Sequence, residues 1–394
     1  MIKIVLFDLD ATLVRVHTDA FVGQYISLLG EALGRHLQGP SERCAEALRS
    51  AIQAVSADRD PSCSNRAVFE RALAEALTMP PDVLRDAFER AQAEIFPSLA
   101  PFFAPDPAAS PLLYRLLERG VACAIVTNPI FSLETVHQRM SWGGLPLDLP
   151  YALITSLDEV HFAKPQPHLY EEVLARVGYE ADQALMVGDD FQNDIAPTQA
   201  IGMHAYWLNG LQTLATFAAE VENGLLERLA RQPLPSEQRE QVVPRLLGNT
   251  AALFGIVNAA PPQVWYMRPE PDEWTPLEVV HHLRQSEREV QRPRLQRILA
   301  EENPFLPTPP EPFRPNSVTL TETAEQIAAD FWRERSQTLA FLEQLPLEAW
   351  SRPARHAIFG PTTLLEMAHF TARHDRLHLN QLWASVSSTG GMGL

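Results

Sequence analysis

The chain has 394 residues, of which 46% are apolar, so it can form two or three domains that each bury a core. Acidic residues outnumber basic ones by 49 to 32, giving a formal net charge of −17, which disfavours a general nucleic-acid binder because neutralising phosphates needs clustered Lys and Arg. Cys44, Cys63 and Cys123 are scattered, with no CxxC spacing, and predict a reducing compartment. With no signal-peptide pattern and no apolar stretch of membrane-spanning length, we expect a cytoplasmic protein with neither membrane nor nucleic acid as partner.

The first 210 residues alternate between strand and helix patterns, apart from one helical insertion. Residues 2–7 (IKIVLF) predict a buried strand, and Ala-rich helical segments follow from about 15 to 100. Further strands are predicted in VACAIVTN, YALITS, QALMVGDD and HAYWLN, separated by helices such as PHLYEEVLARVGY. This alternation predicts an α/β fold with a doubly wound parallel sheet.

Three of the predicted strands end in polar residues that could carry chemistry. Ligands of such sheets bind beyond the carboxyl ends of the strands, so we expect these side chains to lie close together. The residues are Asp8 and Asp10 after the first strand, Thr127 and Asn128 after VACAIV, and Asp189, with Asp194 shortly after it, following QALMVG.

The remaining sequence predicts an all-α domain. A linker helix with a Pro-punctuated stretch spans 211–236, and beyond it we predict no strand. Amphipathic helices are expected at about 237–259, 275–299, 320–344 and 362–385, which together predict a four-helix bundle over 237–390. The tetrapeptides TPLE (Thr275–Glu278) and TLLE (Thr363–Glu366) predict capping boxes. A Pro-rich loop, NPFLPTPPEPFRPN, separates the second and third helices.

Four motifs in chain order, DLDAT, VTNPIF, AKPQPHLY and MVGDDFQNDI, resemble the haloacid dehalogenase-like (HAD) superfamily, in its phosphatase-like branch. The resemblance covers about residues 1–210. It implies an α/β core formed by 1–14 and 101–210, with a helical cap over 15–100. Because a helical cap would enclose the site, it also implies a hydrolase that acts on a small phosphorylated metabolite.

The resemblance assigns a role to each matching residue. Asp8 is expected to be the nucleophile that forms an aspartyl-phosphate, and Asp10 the general acid and base. Thr127, Asn128 and Lys164 are expected to bind the phosphoryl group, with Thr127 and Lys164 also stabilising its charge. The expected Mg²⁺ ligands are Asp8, the backbone carbonyl of Asp10, Asp189 and Asp194, the last directly or through water.

Several residues of these motifs admit more than one interpretation. Ala11 stands where the family usually has Gly: it is harmless at negative φ, whereas a positive φ predicts a displaced Asp10 carbonyl and weaker Mg²⁺ binding or turnover. Asp190 either binds metal or only caps the following turn, and we leave it out of the metal set. His161 and His168 are interpreted as surface or packing residues. The presence of Asp10 favours phosphoryl transfer over dehalogenation, since a halide needs no protonation.

The C-terminal domain contains half of the chain's twelve histidines. His374 and His378 are four residues apart and share one helix face, and a third imidazole would complete a Zn²⁺, Ni²⁺ or Fe²⁺ site with an open position. EWTPLEVVHHLRQSE and MAHFTARHDRLHLNQLW resemble the DinB-like (YfiT-like) metal-binding bundles over about 240–390. The resemblance implies His282 as the third ligand. His281 competes with it, but we interpret His281 and His369 as helix-packing residues.

The sequence therefore predicts a Mg²⁺-dependent phosphatase fused to a metal-binding bundle. Two alternatives stay open. The HAD domain could be weak or inactive in a protein that acts by binding, or the bundle could be a thiol-dependent transferase. A second copy of the chain, associated through the bundle, is a further expected partner.

Overall fold

The computed structural model describes residues 1–232, 237–308 and 321–388, and divides into two compact units, Met1–Leu234 and Pro235–Leu394. Some predicted segments fall partly outside the described residues. These are residues 233–236 of the linker, 309–320 of the Pro-rich loop and the start of the third bundle helix, and 389–390 of the bundle.

A four-stranded parallel sheet in the order β4-β1-β5-β6 forms the centre of the first unit and confirms the predicted α/β fold. Every residue of β1 and β5 is buried, as expected for inner parallel strands covered on both faces. A short antiparallel pair, β2 and β3, lies apart from it. The strands are β1 (Ile4–Phe7), β2 (Val14–Arg15), β3 (Ala104–Pro105), β4 (Ala122–Ile125), β5 (Ala184–Gly188) and β6 (His204–Trp207).

Helices of the first unit form a helical insertion after β2 and the connections of the sheet. They are α1 (Thr18–Leu37), α2 (Ser41–Ala57), α3 (Asn65–Leu77), α4 (Pro81–Ile95), α5 (Ala109–Glu118), α6 (Leu133–Trp142), α7 (Pro167–Val177), α8 (Ala196–Ala200), α9 (Leu214–Glu222) and α10 (Leu225–Leu229). The Phe21 ring of α1 packs 5.7 Å from Phe131, which anchors the insertion on the core. The segment predicted as a linker helix contains α9 and α10, and Phe217 of α9 packs 6.1 Å from Phe7 of β1.

The segment YALITS does not form the predicted strand. It runs beside β4, where the backbone N–H groups of Ala152 and Thr155 donate to the carbonyls of Cys123 and Ile125. The pairing of this segment with β4 is limited to a single β-bridge between Ile125 and Ile154, and the chain enters a turn at 157–159.

The second unit is mainly helical, as predicted. Its helices are α11 (Val242–Ala259), α12 (Pro276–Ser286), α13 (Arg292–Ala300), α14 (Ala324–Glu343) and α15 (Leu364–Ser388). A π-helical turn over Glu287–Gln291 joins α12 to α13 within the single helix predicted at 275–299. Both capping boxes are confirmed: the Glu278 carboxylate accepts from Thr275 N at 2.8 Å, and the Glu366 carboxylate accepts from Thr363 N at 2.9 Å.

The prediction that this region contains no strand is wrong. A three-stranded sheet in the order β7-β8-β9 is built from β7 (Phe305–Leu306), β8 (Pro353–His356) and β9 (Gly360–Thr363). The three strands have only two to four residues each, and β8 and β9 begin with Pro and Gly, so the sequence shows no alternating apolar pattern there.

The expectation that no apolar stretch reaches membrane-spanning length is also wrong. The helical segment Arg239–Ala259 is 21 residues long, with a mean hydropathy of 1.2. The share of its apolar window that lies buried inside the protein is 78%. Its Asn249 side chain donates to the Ala372 carbonyl of α15 at 2.9 Å, so the segment packs as a core helix of the bundle.

The turn after β1 places Ala11 in the left-handed region, with φ of 59°. This is the less favourable of the two cases that the sequence left open. The turn is closed by the backbone N–H groups of Leu13 and Val14, which both donate to the Leu9 carbonyl at 3.0 Å. A non-glycine residue in this region costs roughly 1–2 kcal/mol. The turn therefore forms with Ala11 at this steric cost, and the weaker Mg²⁺ binding or turnover expected for a positive φ stays a prediction.

Replacing Ala11 by Gly should stabilise the first unit. We expect the Ala11→Gly variant to gain about 1 kcal/mol in free energy of unfolding, because the steric cost removed exceeds the entropy that Gly adds to the unfolded chain. Urea unfolding of the full chain measures this. The matched control is Ala93→Gly, at an exposed position within α4, which should lose about 1 kcal/mol. A loss of stability in both variants would contradict the strain at Ala11.

Candidate functional site

A buried lysine binds two carboxylates at the carboxyl edge of the sheet. Lys164 Nζ donates to Asp8 Oδ1 and to Asp194 Oδ1, each at 2.6 Å. Asp8 directly follows β1, and Asp194 lies in the π-helical turn after β5, so the parallel pairing of these strands brings both acids to one edge. All three side chains are less than one-tenth exposed. Three of the residues predicted from the sequence thus form one hydrogen-bonded cluster.

Burial and crowding change the acidity of this cluster. Burial raises the pKa of Asp8 to about 7, with Lys164 opposing the shift, and burial also raises the pKa of Asp194. Burial disfavours the charge on Lys164, but Asp194 and Asp8 outweigh it and raise the pKa of Lys164 well above its ordinary value. One cation therefore faces an excess of carboxylates.

Asp189 adds a third carboxylate. It accepts a hydrogen bond from Thr12 Oγ1 at 3.3 Å, and burial followed by the charge of Asp8 raises its pKa to about 6. Carboxylate oxygens of Asp8, Asp189 and Asp194 lie within 4.8 Å of one another, close enough to share one metal ion. Gly188 permits this packing, since a Cβ there would lie 2.3 Å from the Asp194 carboxylate. The glycine of the motif VGDD is thus required because the Asp194 carboxylate packs closely against its backbone.

Asp190 caps the turn that follows β5. Its Oδ1 accepts hydrogen bonds from the backbone N–H groups of Gln192 and Asn193, at 2.8 and 3.0 Å. These contacts hold the segment that carries Asp194, whose Oδ2 accepts from Asp190 N at 3.2 Å. Of the two roles left open for Asp190, the structure shows the capping one.

Asp10 and Thr127 share a partner that sequence reasoning missed. Arg139 of α6 is fully buried; its Nη2 donates to Asp10 Oδ2 and, at 3.2 Å, to Thr127 Oγ1. The backbone carbonyl of Thr127 accepts from Thr155 Oγ1 at 2.7 Å, which fixes the loop after β4. An arginine on a helix is usually a surface residue, so no pattern in the sequence singled out Arg139.

A cavity of about 520 Å³ opens at this edge and gives the cluster access to solvent. It is lined by the predicted site residues and by residues from the turn and from the segment that leads into α1. These residues are Asp8, Asp10, Ala11, Val16, His17, Thr18, Asp19, Thr127, Asn128, Lys164, Asp189, Asp190, Asn193 and Asp194. Every residue expected to react with or bind a phosphoryl group therefore faces one cavity.

The histidines that flank Lys164 are packing residues, as one of the two interpretations had it. His161 is buried, and its Nδ1 lies 2.7 Å from Glu172 Oε1. His168 packs against Phe162, with ring centroids 5.3 Å apart. Both anchor the loop that carries Lys164.

Three imidazoles meet in the second unit. His282 of α12 and His374 of α15 approach to 3.3 Å between their Nε2 atoms, and one nitrogen of each of these rings and of His378 lies within 4.8 Å of the others. His378 Nδ1 contacts Gln381 Oε1 at 2.9 Å, which leaves Nε2 toward the cluster. Burial, then the neighbouring imidazoles, lower the pKa of His282 to about 3 and of His378 to about 4. Both rings are therefore neutral at neutral pH, the form that binds metals.

The other histidines of α12 and α15 lie outside this cluster. His369 is fully buried, with Nε2 3.1 Å from the Gln238 carbonyl, as expected of a packing residue. The pKa of His281 is lowered by partial burial, then by Arg284. Trp274 covers one side of the cluster, with its ring plane 8° from that of His378.

A buried ion network lies beside the imidazoles. Arg335 of α14 is fully buried and donates to Asp375 Oδ2 at 2.7 Å and to Glu287 Oε2 at 2.8 Å. Asp375 follows His374 in α15, and Glu287 opens the π-helical turn, so the network ties three helical segments together. Thr338 donates to the other oxygen of Glu287. The segment WRERSQ around Arg335 is typical of an exposed helix face, so sequence reasoning missed this network.

Comparison with known proteins divides the chain in the same way. Residues 2–202 match the family model of haloacid dehalogenase-like hydrolases, and residues 245–382 match that of the DinB superfamily.

Among curated relatives, phosphoserine phosphatase of Thermus thermophilus is 31% identical over 146 residues, covering 36% of this chain and 53% of the relative. Glyceraldehyde 3-phosphate phosphatase of Methanothermobacter thermautotrophicus is 30% identical over 121 residues, covering 31% and 52%. The chain thus spans about half the length of these relatives. The solved structure of YfiT from Bacillus subtilis is 19% identical, covers 41% of this chain and 93% of its own, and has a TM-score of 0.36.

Removing Arg335 should destabilise the second unit. We expect Arg335→Leu to lose about 3–5 kcal/mol in free energy of unfolding, because Glu287 and Asp375 would be left as buried charges without their partner. Urea unfolding followed by tryptophan fluorescence reports mainly on this unit, which holds five of the chain's seven tryptophans. The matched control is Arg333→Leu on the same helix, whose arginine side chain is 68% exposed; it should lose less than about 1 kcal/mol. Equal losses would contradict the importance of the buried network.

Proposed function

Because the chain belongs to the haloacid dehalogenase-like hydrolases, we propose that its first unit is a Mg²⁺-dependent phosphatase that acts through an aspartyl-phosphate. The observation that carries the proposal is the cluster of Asp8, Lys164 and Asp194 on one cavity with Asp10 and Thr127. Nucleophile, proton donor and phosphoryl-binding groups are all available within it. The names of the phosphatase relatives support the same reaction class.

The proposed reaction has two steps. An Asp8 oxygen attacks the phosphorus, the ester P–O bond breaks, and the leaving oxygen takes a proton from Asp10. Asp10 then removes a proton from water, whose oxygen attacks the phosphorus and breaks its bond to Asp8, releasing inorganic phosphate. Thr127 and Lys164 donate hydrogen bonds to phosphoryl oxygens and stabilise their charge.

The donor set suits a hard divalent cation. Asp8, Asp189, Asp194 and the backbone carbonyl of Asp10 would hold Mg²⁺, which prefers oxygen ligands. The pKa values of Asp8 and Asp189, raised by burial and then by neighbouring carboxylates, support this, since a further cation would stabilise the ionised forms. Once bound, the ion would neutralise charge on the phosphoryl oxygens.

Phosphoryl transfer is favoured over dehalogenation by Asp10. A departing halide needs no proton, whereas an alkoxide leaving group does, and Asp10 faces the same cavity as Asp8. We propose a small phosphorylated metabolite as substrate, because the cavity of about 520 Å³ is bordered by the segment that leads into α1 of the helical insertion.

Replacing the nucleophile should abolish turnover. We expect Asp8→Asn to lower kcat for p-nitrophenyl phosphate in the presence of Mg²⁺ by roughly 10⁴-fold or more, since an amide cannot form the covalent intermediate. Release of p-nitrophenolate measures this. Asp86→Asn, at a carboxylate of α4 that is 73% exposed, is the matched control and should keep wild-type activity.

Two results would count against the proposal. Residual activity of Asp8→Asn near the wild-type rate would exclude the covalent mechanism. If the wild-type protein with bound Mg²⁺ hydrolysed no member of a phosphate-ester panel, the alternative of an inactive hydrolase unit in a binding protein would replace it.

We further propose that the second unit binds Zn²⁺, Ni²⁺ or Fe²⁺ through His282, His374 and His378. Three imidazoles within one 4.8 Å cluster suit these ions and leave a coordination position open.

Removing one imidazole should release the metal. We expect His282→Ala, His374→Ala and His378→Ala each to reduce the transition-metal content of the purified full chain to less than about one-tenth of one equivalent, because two imidazoles bind far more weakly than three. Elemental analysis by mass spectrometry measures this. His281→Ala, the neighbouring position on α12, is the control and should retain the wild-type content. Unchanged metal in all three ligand variants would remove the site.

We also propose a cytoplasmic location. The support is that Cys44, Cys63 and Cys123 are all unpaired thiols, as a reducing compartment would keep them. Association with a second copy through the bundle, and the absence of nucleic-acid and membrane partners, stay predictions.

A further inference from the structure

Arg139 is buried where a cation is costly. Its side chain is fully buried on α6, and its guanidinium carbon lies 4.6 Å from the Phe131 ring centroid and 5.8 Å from that of Phe21. Its Nε and Nη1 are buried without a hydrogen-bond partner in the described structure. An apolar side chain would suit the aromatic surroundings and avoid these unsatisfied donors. The hydrogen bonds of Nη2 are what an apolar side chain could not supply.

Those hydrogen bonds join two parts of the reaction site. Nη2 donates to Asp10 Oδ2, on the turn after β1, and to Thr127 Oγ1, on the loop after β4. The other oxygen of Asp10, Oδ1, has no hydrogen-bond partner in the described structure. Oδ1 is also buried, so Arg139 holds the Asp10 carboxyl group in one orientation beside the cavity.

Arg139 does not line the cavity, whereas Asp10 and Thr127 do. It can therefore act on the reaction only through these two residues. The contact of the Arg139 guanidinium with the Phe21 ring also connects Arg139 to α1, because Phe21 belongs to that helix. A link between the helical insertion and the proton donor is thus built into the core.

We propose that Arg139 is a positioning residue, which holds Asp10 Oδ2 and so orients the Asp10 carboxyl group to deliver the proton to the leaving oxygen. This inference rests on the proposed phosphatase function. The bond that breaks is the ester P–O bond, and the proton moves from the Asp10 carboxyl group to the departing oxygen. The role predicts that losing Arg139 matters most when the leaving group is strongly basic.

The test compares two substrates with Arg139→Met in the full chain with Mg²⁺. An alkyl phosphate departs as a strongly basic alkoxide and needs the proton, whereas p-nitrophenyl phosphate departs as a stabilised phenolate and needs it little. We expect kcat for the alkyl phosphate to fall about 100-fold, kcat for p-nitrophenyl phosphate to fall less than about 10-fold, and both KM values to change little. Equal losses of kcat for the two substrates would overturn the inference.

A double-mutant cycle with Asp10→Asn gives a second readout. If Arg139 acts through Asp10, adding Arg139→Met to Asp10→Asn should lower alkyl phosphate turnover by less than about 3-fold further, because the group it positions has already gone. A further loss as large as in the wild-type background would show a merely structural role and overturn the inference.

Two more variants guard against misfolding. Arg139→Lys keeps a cation and should lose less alkyl phosphate activity than Arg139→Met; if the Met variant unfolds, the same substrate comparison and double-mutant cycle are run with Lys. Arg176→Met is the matched control: this largely buried arginine pairs with Glu159 at 2.8 Å, does not line the cavity, and should leave the ratio of the two activities unchanged. If the wild-type protein hydrolyses neither substrate, the proposed function falls too, whereas wild-type turnover with equal losses removes only the role of Arg139.

Discussion

The contact of Lys164 with Asp8 and Asp194 is the constraint on which the first unit depends. Three charged side chains are buried together there, and their desolvation would destabilise the fold unless each found a partner. The parallel pairing of β1 with β5 supplies the two acids, and the loop held by His161 and Glu172 supplies the lysine. Gly188 lets Asp194 approach closely. The local structure around the sheet edge thus serves to keep one cation among carboxylates.

That arrangement explains why the sequence predicts this site well. In a parallel sheet the carboxyl ends of the strands share one edge, so acids placed directly after β1 and β5 must converge whatever the details of packing. Lys164 could not be placed by strand position, and its assignment came from the family resemblance. The side chain of Arg139 could not be placed at all, because its burial depends on Phe21 and Phe131, which are far from it in sequence or lie across a turn. Ala11 shows another limit: residue type alone does not determine the sign of φ.

In the second unit, too, some site residues follow from the sequence pattern and others only from tertiary packing. Helical spacing predicts that His374 and His378 share a face, and only packing of α12 against α15 decides that His282 rather than His281 joins them. The sequence pattern indicates a surface position for Arg335, because four of its neighbours in WRERSQ are charged or polar. The strands β8 and β9 were missed for a different reason: a four-residue strand containing Pro and Gly has no periodicity to detect.

The two clusters differ in donor chemistry in a way that would let one chain hold two kinds of metal. Carboxylates and a backbone carbonyl favour a hard cation such as Mg²⁺, while three imidazoles favour Zn²⁺, Ni²⁺ or Fe²⁺. Affinity alone would not keep the ions apart, since transition metals bind most oxygen sites more tightly than Mg²⁺ does. The ammonium of Lys164 weakens the attraction of the first cluster for a cation, because it already neutralises part of the carboxylate charge there. Weak net attraction suits an ion present at high concentration, whereas the imidazole cluster can hold a scarce ion by direct nitrogen ligation.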